Sequence, residues 1–339
     1  MTRNTLLIVA TGIHELKCRR FFIAVIGESI LRSNRTGPGS GGVEAHGILD
    51  SRNLPDPEFH ALWDAIIVDE EVKTRLLAQA ILNFTLRSNP KVKRAYLPLH
   101  GVILLVGSPG TGKTSLARGL ASRTGEVVSE CLYLEVEPHA LTSGTLGKSQ
   151  KAVTELLGGT IAERAAARPT IVLLDEVETL AADRSKLSLE ANPVDVHRAT
   201  DAVLAQLDHL AGQYPNLLFI ATSNFPQAID QAFFSRADLI ITVDLPGPEA
   251  RQQILMETVN ALAEAFPKVK SITAAPEFDR AVKACDGLDG RRIRKLVASA
   301  CTFDKATALD PARLTARDLL RAAEHAQREA EAAAKGGSK

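Results

Sequence analysis

An α/β fold, a parallel sheet flanked by helices and followed by a small helical lid, is what this 339-residue sequence predicts. Three observations predict it. Apolar runs of strand length alternate with helical patterns between residues 101 and 243. A glycine-rich turn joins the first of these strands to a helix. Beyond residue 247 only helical spacing continues.

Thr5–Ala10 and Phe21–Ile26 are apolar stretches separated by His14, Glu15, Lys17, Arg19 and Arg20. Neither approaches the roughly 20 apolar residues of a membrane span. Arg3 ahead of the first is a faint echo of a secretory leader; short locally packed elements and a cytoplasmic chain are expected instead. Ser33–Gly47 is too glycine-rich to pack and reads as a connector. Residues 1–53 are therefore taken as an extension and linker, 54–246 as the α/β unit and 247–339 as the lid.

Within the α/β unit, Val72, Leu76, Leu77, Ala80, Ile81 and Phe84 recur at helical spacing, predicting a helix over 69–86. Strands are predicted at 101–106, 131–136, 170–174, 217–222 and 239–243. Several are continuously apolar, as expected where helices cover both faces of a parallel sheet. Asp244–Pro248 punctuates the chain as a hinge. Helices are predicted at about 249–266, 277–286, 290–306 and 315–335. Thr315 and Asp318 form a capping-box-like start to the last.

Gly107-Ser108-Pro109-Gly110-Thr111-Gly112-Lys113-Thr114 fits the phosphate-loop pattern without a mismatch, between an apolar strand and a helix that opens at Ser115. Its glycines let backbone N–H groups turn toward phosphate oxygens, and the helix N-terminus adds partial positive charge. Lys113 would reach the β- and γ-phosphates, and Thr114 would hold Mg²⁺. A nucleoside triphosphate, ATP with Mg²⁺, is the implied ligand.

The strand Thr170–Leu174 ends in Asp175-Glu176. Asp175 is placed to act on Mg²⁺ and Glu176 to polarise an attacking water, which marks a hydrolase. Asn224 ends the next apolar strand, where its amide would orient that water or meet the γ-phosphate. Arg236 is open to two readings, an ordinary surface arginine or an arginine finger for a neighbour's nucleotide. The segment Gly287–Leu296 opens a helix with Arg291, Arg292, Arg294 and Lys295, cations that oppose the macrodipole unless an anion lies near.

In order and spacing these segments resemble an AAA+ ATPase, most of all the Pch2/TRIP13 remodellers of HORMA-domain proteins. Leu54-Pro55, Glu58–Asp64, Asp175–Leu180, Ala202–Asp208, Thr222–Asn224, Ser235–Asp238 and the lid segment carry the likeness. The resemblance implies Walker A at Gly107–Thr114, Walker B at Leu173–Glu176, sensor 1 at Asn224, the finger at Arg236 and sensor 2 at Arg291. It further implies a homo-hexameric ring that partly unfolds a HORMA protein, converting closed to open states. Two departures stand out. Residues 1–53 are shorter than the family's recognition domain, and Thr145-Leu146 stand where its first pore loop carries an aromatic. Both point to a bacterial relative of the kind found beside HORMA proteins and nucleotidyltransferases that make second messengers in anti-phage operons.

Forty basic and forty acidic side chains cancel, so no global field favours nucleic acid or an anionic membrane. Four scattered cysteines without a C-x-x-C pair, and eight histidines without H-x₃₋₅-H spacing, argue against zinc and a disulfide framework. Two other readings compete: an ATP-switched assembly scaffold that threads nothing, and a DNA-directed loader, which the neutral charge disfavours.

Overall fold

The computed structural model describes residues 47–138, 148–182 and 193–336. Among them, six strands form one sheet: β1 (Ile48–Asn53), β2 (Val102–Val106), β3 (Leu132–Val136), β4 (Thr170–Leu174), β5 (Leu217–Ser223) and β6 (Leu239–Thr242). Their order is β1-β3-β4-β5-β2-β6. The pairs from β3 to β6 are all parallel, and β1 alone runs antiparallel, against β3.

The β1 strand corrects the expected linker boundary at residue 53. Its residues alternate half-buried and exposed along the sheet edge. Its half-buried positions are Ile48, Asp50 and Arg52 while Leu49 is exposed, so the strand carries no apolar alternation to mark it beside a glycine-rich run.

The helices α1 (Pro57–Ala65), α2 (Glu70–Arg87) and α3 (Lys113–Gly125) cover one sheet face. The other face is covered by α4 (Lys148–Glu155), a π-helical turn through Ile161, and α5 (Ala162–Ala167), together with α6 (Pro193–Gln213). Every β2 residue is buried, yet the pleat still sorts them. Val102, Leu104 and Val106 enter one core, and Ile103 and Leu105 the other. The α1 and α3 backbones meet at Gly119, where a Cβ would lie 2.7 Å from Trp63 Cβ and 2.9 Å from its Cα. No larger residue fits that crossing.

A four-residue helix, α7 (Gln231–Phe234), precedes β6. Beyond it come α8 (Pro248–Ala265), α9 (Pro276–Ala284), α10 (Gly290–Cys301), α11 (Lys305–Leu309) and α12 (Ala316–Gly336). Their apolar faces close on a third core of their own, around Leu255, Phe278, Ile293 and Leu319. Thr315 and Asp318 exchange bonds at the start of α12: the Thr315 N–H reaches Asp318 Oδ2 at 3.0 Å, and the Asp318 N–H reaches Thr315 Oγ1 at 3.3 Å. Such a reciprocal cap is worth about 1 kcal/mol.

Candidate active site

The β4 and β5 register determines the site. Leu174 pairs with Ala221, so Asp175 emerges beside Thr222 at the carboxyl ends of the strands. Val106 of β2 pairs with Ser223, which brings the phosphate loop to the same end. Pro109, Gly110, Gly112, Lys113, Thr114, Ser115, Asp175, Glu176, Thr222, Asn224 and Arg291 line one cavity of about 200 Å³ there. A larger groove at the hinge, about 660 Å³, holds none of these groups.

Gly112 caps α3 at φ +94°, a left-handed conformation that glycine adopts freely, and no side chain bonds the helix's first amides. Those N–H groups therefore face the cavity as anion donors. Lys113 Nζ donates to the carbonyls of Gly107 at 2.9 Å and Ser108 at 2.8 Å. Thr111 Oγ1 donates to the Ser108 carbonyl at 3.0 Å, bracing the loop from within. Burial pulls the Lys113 ammonium below the ordinary lysine value. Glu178 and Asp175 oppose that pull, Arg291 adds to it, and Glu176 opposes it more weakly. Negative phosphate would restore the charge.

Thr114 Oγ1 donates to Asp175 Oδ1 at 2.9 Å, and Thr222 Oγ1 donates to the same oxygen. Glu176 takes a left-handed backbone, φ +51° and ψ +52°, uncommon for a residue with a side chain and a form of strain concentrated at functional sites. Its N–H donates to Thr222 Oγ1 at 3.2 Å, and its Oε1 accepts from Asn224 Nδ2 at 3.1 Å. Thr222 thus ties both acids together. Sequence reading named the Thr222–Asn224 segment but gave Thr222 no part; its place, level with Asp175 across two strands, was the available signal.

The uncapped helix start, the buried ammonium and the hydroxyl–carboxylate pair fit a triphosphate with Mg²⁺, a hard cation that keeps water and takes few protein oxygens.

In the lid, Asp289 Oδ1 caps α10 by accepting the Arg292 N–H at 2.9 Å. Arg292 Nε lies 3.4 Å from Asp289 Oδ2, while Arg291 lines the cavity and its N–H donates to the Gly110 carbonyl at 3.3 Å. Of Arg291 and Arg292, Arg291 is the one brought to the loop. Arg236 is not. It binds Asp208 of α6 with two bonds, and its Nη1 donates to the Ala232 carbonyl at 2.6 Å. Thr145 and Leu146, at the expected first pore loop, lie outside the described residues.

Residues 103–245 match the family described as ATPase family associated with various cellular activities (AAA). The chain is 58% identical over 292 residues to CD-NTase-associated protein 6 of Pseudomonas aeruginosa, covering 86% of this chain and 95% of that protein. It is 34% identical over 269 residues to the Pachytene checkpoint protein 2 homolog of Xenopus tropicalis, covering 72% of this chain and 61% of that protein. The chain therefore spans about three-fifths of the length of that animal relative. Its fold also matches a chain in the structure of the E. coli MS115-1 HORMA:CdnC:Trip13 complex, with a TM-score of 0.63 at 18% identity over 84% of this chain and 97% of that one. Among the described residues, no helix is long and apolar enough to cross a membrane.

Proposed function

The chain belongs to the Pch2/TRIP13 family of AAA ATPases, and from that premise we propose that it is a cytoplasmic ring remodeller that hydrolyses ATP to open a HORMA-domain protein. One observation carries the chemistry: Lys113, Thr114, Asp175, Glu176 and Asn224 line a single cavity at one end of the sheet. Residues 48–246, β1 included, form the catalytic unit and 247–339 the lid.

The loop from Gly107 to Ser115 holds the phosphates through its N–H groups, with Lys113 on the β- and γ-oxygens. Thr114 and Asp175 hold Mg²⁺, which when bound offsets charge on those oxygens. Glu176 takes the proton of the attacking water, and Asn224 keeps its carboxylate aimed. Arg291 reaches the phosphates from the lid. Arg236, turned away from its own cavity, serves the next subunit of a homo-hexamer.

The partner is a HORMA-domain protein, alone or bound to a nucleotidyltransferase, and its opening regulates an anti-phage second-messenger system. The names of the P. aeruginosa relative and of the E. coli complex support this reading. Thr145 and Leu146 grip the substrate. A scaffold that switches with ATP and threads nothing is the second reading, because Leu146 stands where the Pch2/TRIP13 resemblance implies an aromatic.

The test mixes the purified chain with ATP and a HORMA protein held closed on a peptide. Release of the peptide that stops in Glu176→Gln supports remodelling. A partner that neither stimulates hydrolysis nor opens overturns it. Leu146→Ala should keep basal hydrolysis and lose opening; normal opening in assembled rings would move the grip elsewhere.

A further inference from the structure

Val177–Thr179 forms one 3₁₀ turn after the catalytic pair. The Thr179 N–H and Oγ1 both donate to the Glu176 carbonyl, at 3.0 and 2.9 Å, closing the turn on itself. Val177 is fully buried in the core, which anchors the turn. Glu178, the next residue, reaches across to the end of β5, where its Oε1 accepts the Asn224 N–H at 3.0 Å. Its Oε2 is buried and has no hydrogen-bond partner among the described residues.

Asn224 is the first residue past β5, so its amide has left the strand ladder. The carboxylate of Glu178 supplies the partner, and an ionised acceptor makes that bond stronger than a neutral one. The Asn224 side chain then meets Glu176 Oε1. Asn224 is thus held at its backbone by one acid while its amide holds the other. A buried carboxylate oxygen without a donor is costly, so what the other oxygen holds has to offset it.

We propose that Glu178 is a positioning residue for ATP hydrolysis: it fixes the Asn224 backbone and, through Asn224, aims the Glu176 carboxylate. This rests on Glu176 being the base and Asn224 its partner. A rival role is electrostatic, since Glu178 is the foremost acid acting on Lys113. Reach and charge separate the two. Glu178→Gln keeps an oxygen at the same reach without charge, and Glu178→Asp keeps the charge one methylene short.

The experiment compares both variants with Asn224→Ala in the full chain. It reads kcat, KM, affinity for a fluorescent ATP analogue, and amide hydrogen exchange across Ser223–Phe225. Glu178→Gln should stay within about threefold of wild-type kcat with exchange still slow, whereas Glu178→Asp should lose about tenfold in kcat, at nearly unchanged analogue affinity, with faster exchange. On the Asn224→Ala background Glu178→Asp should cost less than about twofold more, because the link is already cut. A Glu178→Asp protein with wild-type kcat and exchange, or full additivity with Asn224→Ala, overturns the proposal. If Glu176→Gln and Asn224→Ala both turn over normally, the reading of the site fails and takes this one with it.

Discussion

Arg236 and Asp208 face each other through two parallel bonds, Nε to Oδ1 at 2.7 Å and Nη2 to Oδ2 at 2.6 Å. This fork-to-fork geometry is the arginine–carboxylate pairing with the greatest directional specificity. It holds the guanidinium in its own chain, outside the cavity that Lys113 lines. The loop beside it is pinned as well: Asp238 accepts the N–H groups of His100, Gly101 and Val102 at 2.9, 2.7 and 3.1 Å. A finger fixed this way would serve a neighbour's phosphates. Arg236→Ala should cost on the order of 10³-fold in hydrolysis where chemistry limits. Mixed with Lys113→Ala it should regain activity, because some interfaces then pair an intact loop with an intact finger. Wild-type hydrolysis by Arg236→Ala rings alone would refute this role.

The same pair has a pH signature. Bonding to Arg236 is the main reason that the Asp208 carboxyl lies below its usual range, and Arg236 is raised in turn by Asp208. A depressed carboxyl stabilises the fold above its unfolded value, about 3.9 for aspartate, and loses that contribution as pH falls through the folded value. The melting gap between wild type and Arg236→Ala should therefore be open at neutral pH and close in acid below that range. Asp208 is 46% exposed, so the gap is small. A gap that widens on acidification would contradict the assignment.

Glu176→Gln should bind ATP normally and hydrolyse it about 10²-fold or more slowly, because only the base is removed. Lys113→Ala should weaken nucleotide binding itself. Equilibrium binding beside steady-state hydrolysis distinguishes them, and wild-type turnover in Glu176→Gln would remove Glu176 from its role.

Gly119→Ala should lower the melting temperature, since a methyl group there meets the Trp63 backbone and α1 has to move away. Overpacking of this kind costs about 1–3 kcal/mol. An unchanged melting curve would mean that the α1–α3 crossing is looser than the structure has it.

Burial pushes the Cys131 and Cys285 thiols up to about 12. Alkylation near pH 8 should spare both in the folded chain and modify both in denaturant. Stoichiometric labelling of either under native conditions would show that its core opens.

The phosphate loop, the acids after β4 and the polar end of β5 were legible because each is a run of consecutive residues with one local meaning. A glycine loop between an apolar strand and a helix can be read without knowing what lies across the sheet. Helices α8, α9, α10 and α12 of the lid were legible for the same reason, through periodicity and capping, but the helix expected over 290–306 breaks after Cys301, where Asp304 caps the separate α11. The β1 strand was not legible, because a half-buried edge needs so little apolar surface that Asp50 and Arg52 conceal it.

By itself, then, the sequence determined the five parallel strands, the loop and the identity of the acids, all properties of neighbouring residues. Tertiary structure alone decided what those groups touch. Thr222 reaches Asp175 and Glu176 from 47 and 46 residues away because β4 and β5 pair in one register. Arg236 finds Asp208 across 28 residues, and Arg291 rather than Arg292 turns to the loop. A one-residue slip in the sheet or a part-turn of α10 would change each partner while leaving every local pattern intact. Side-chain bonds act over about 3 Å, so only the packed backbone can choose among residues that the chain keeps far apart.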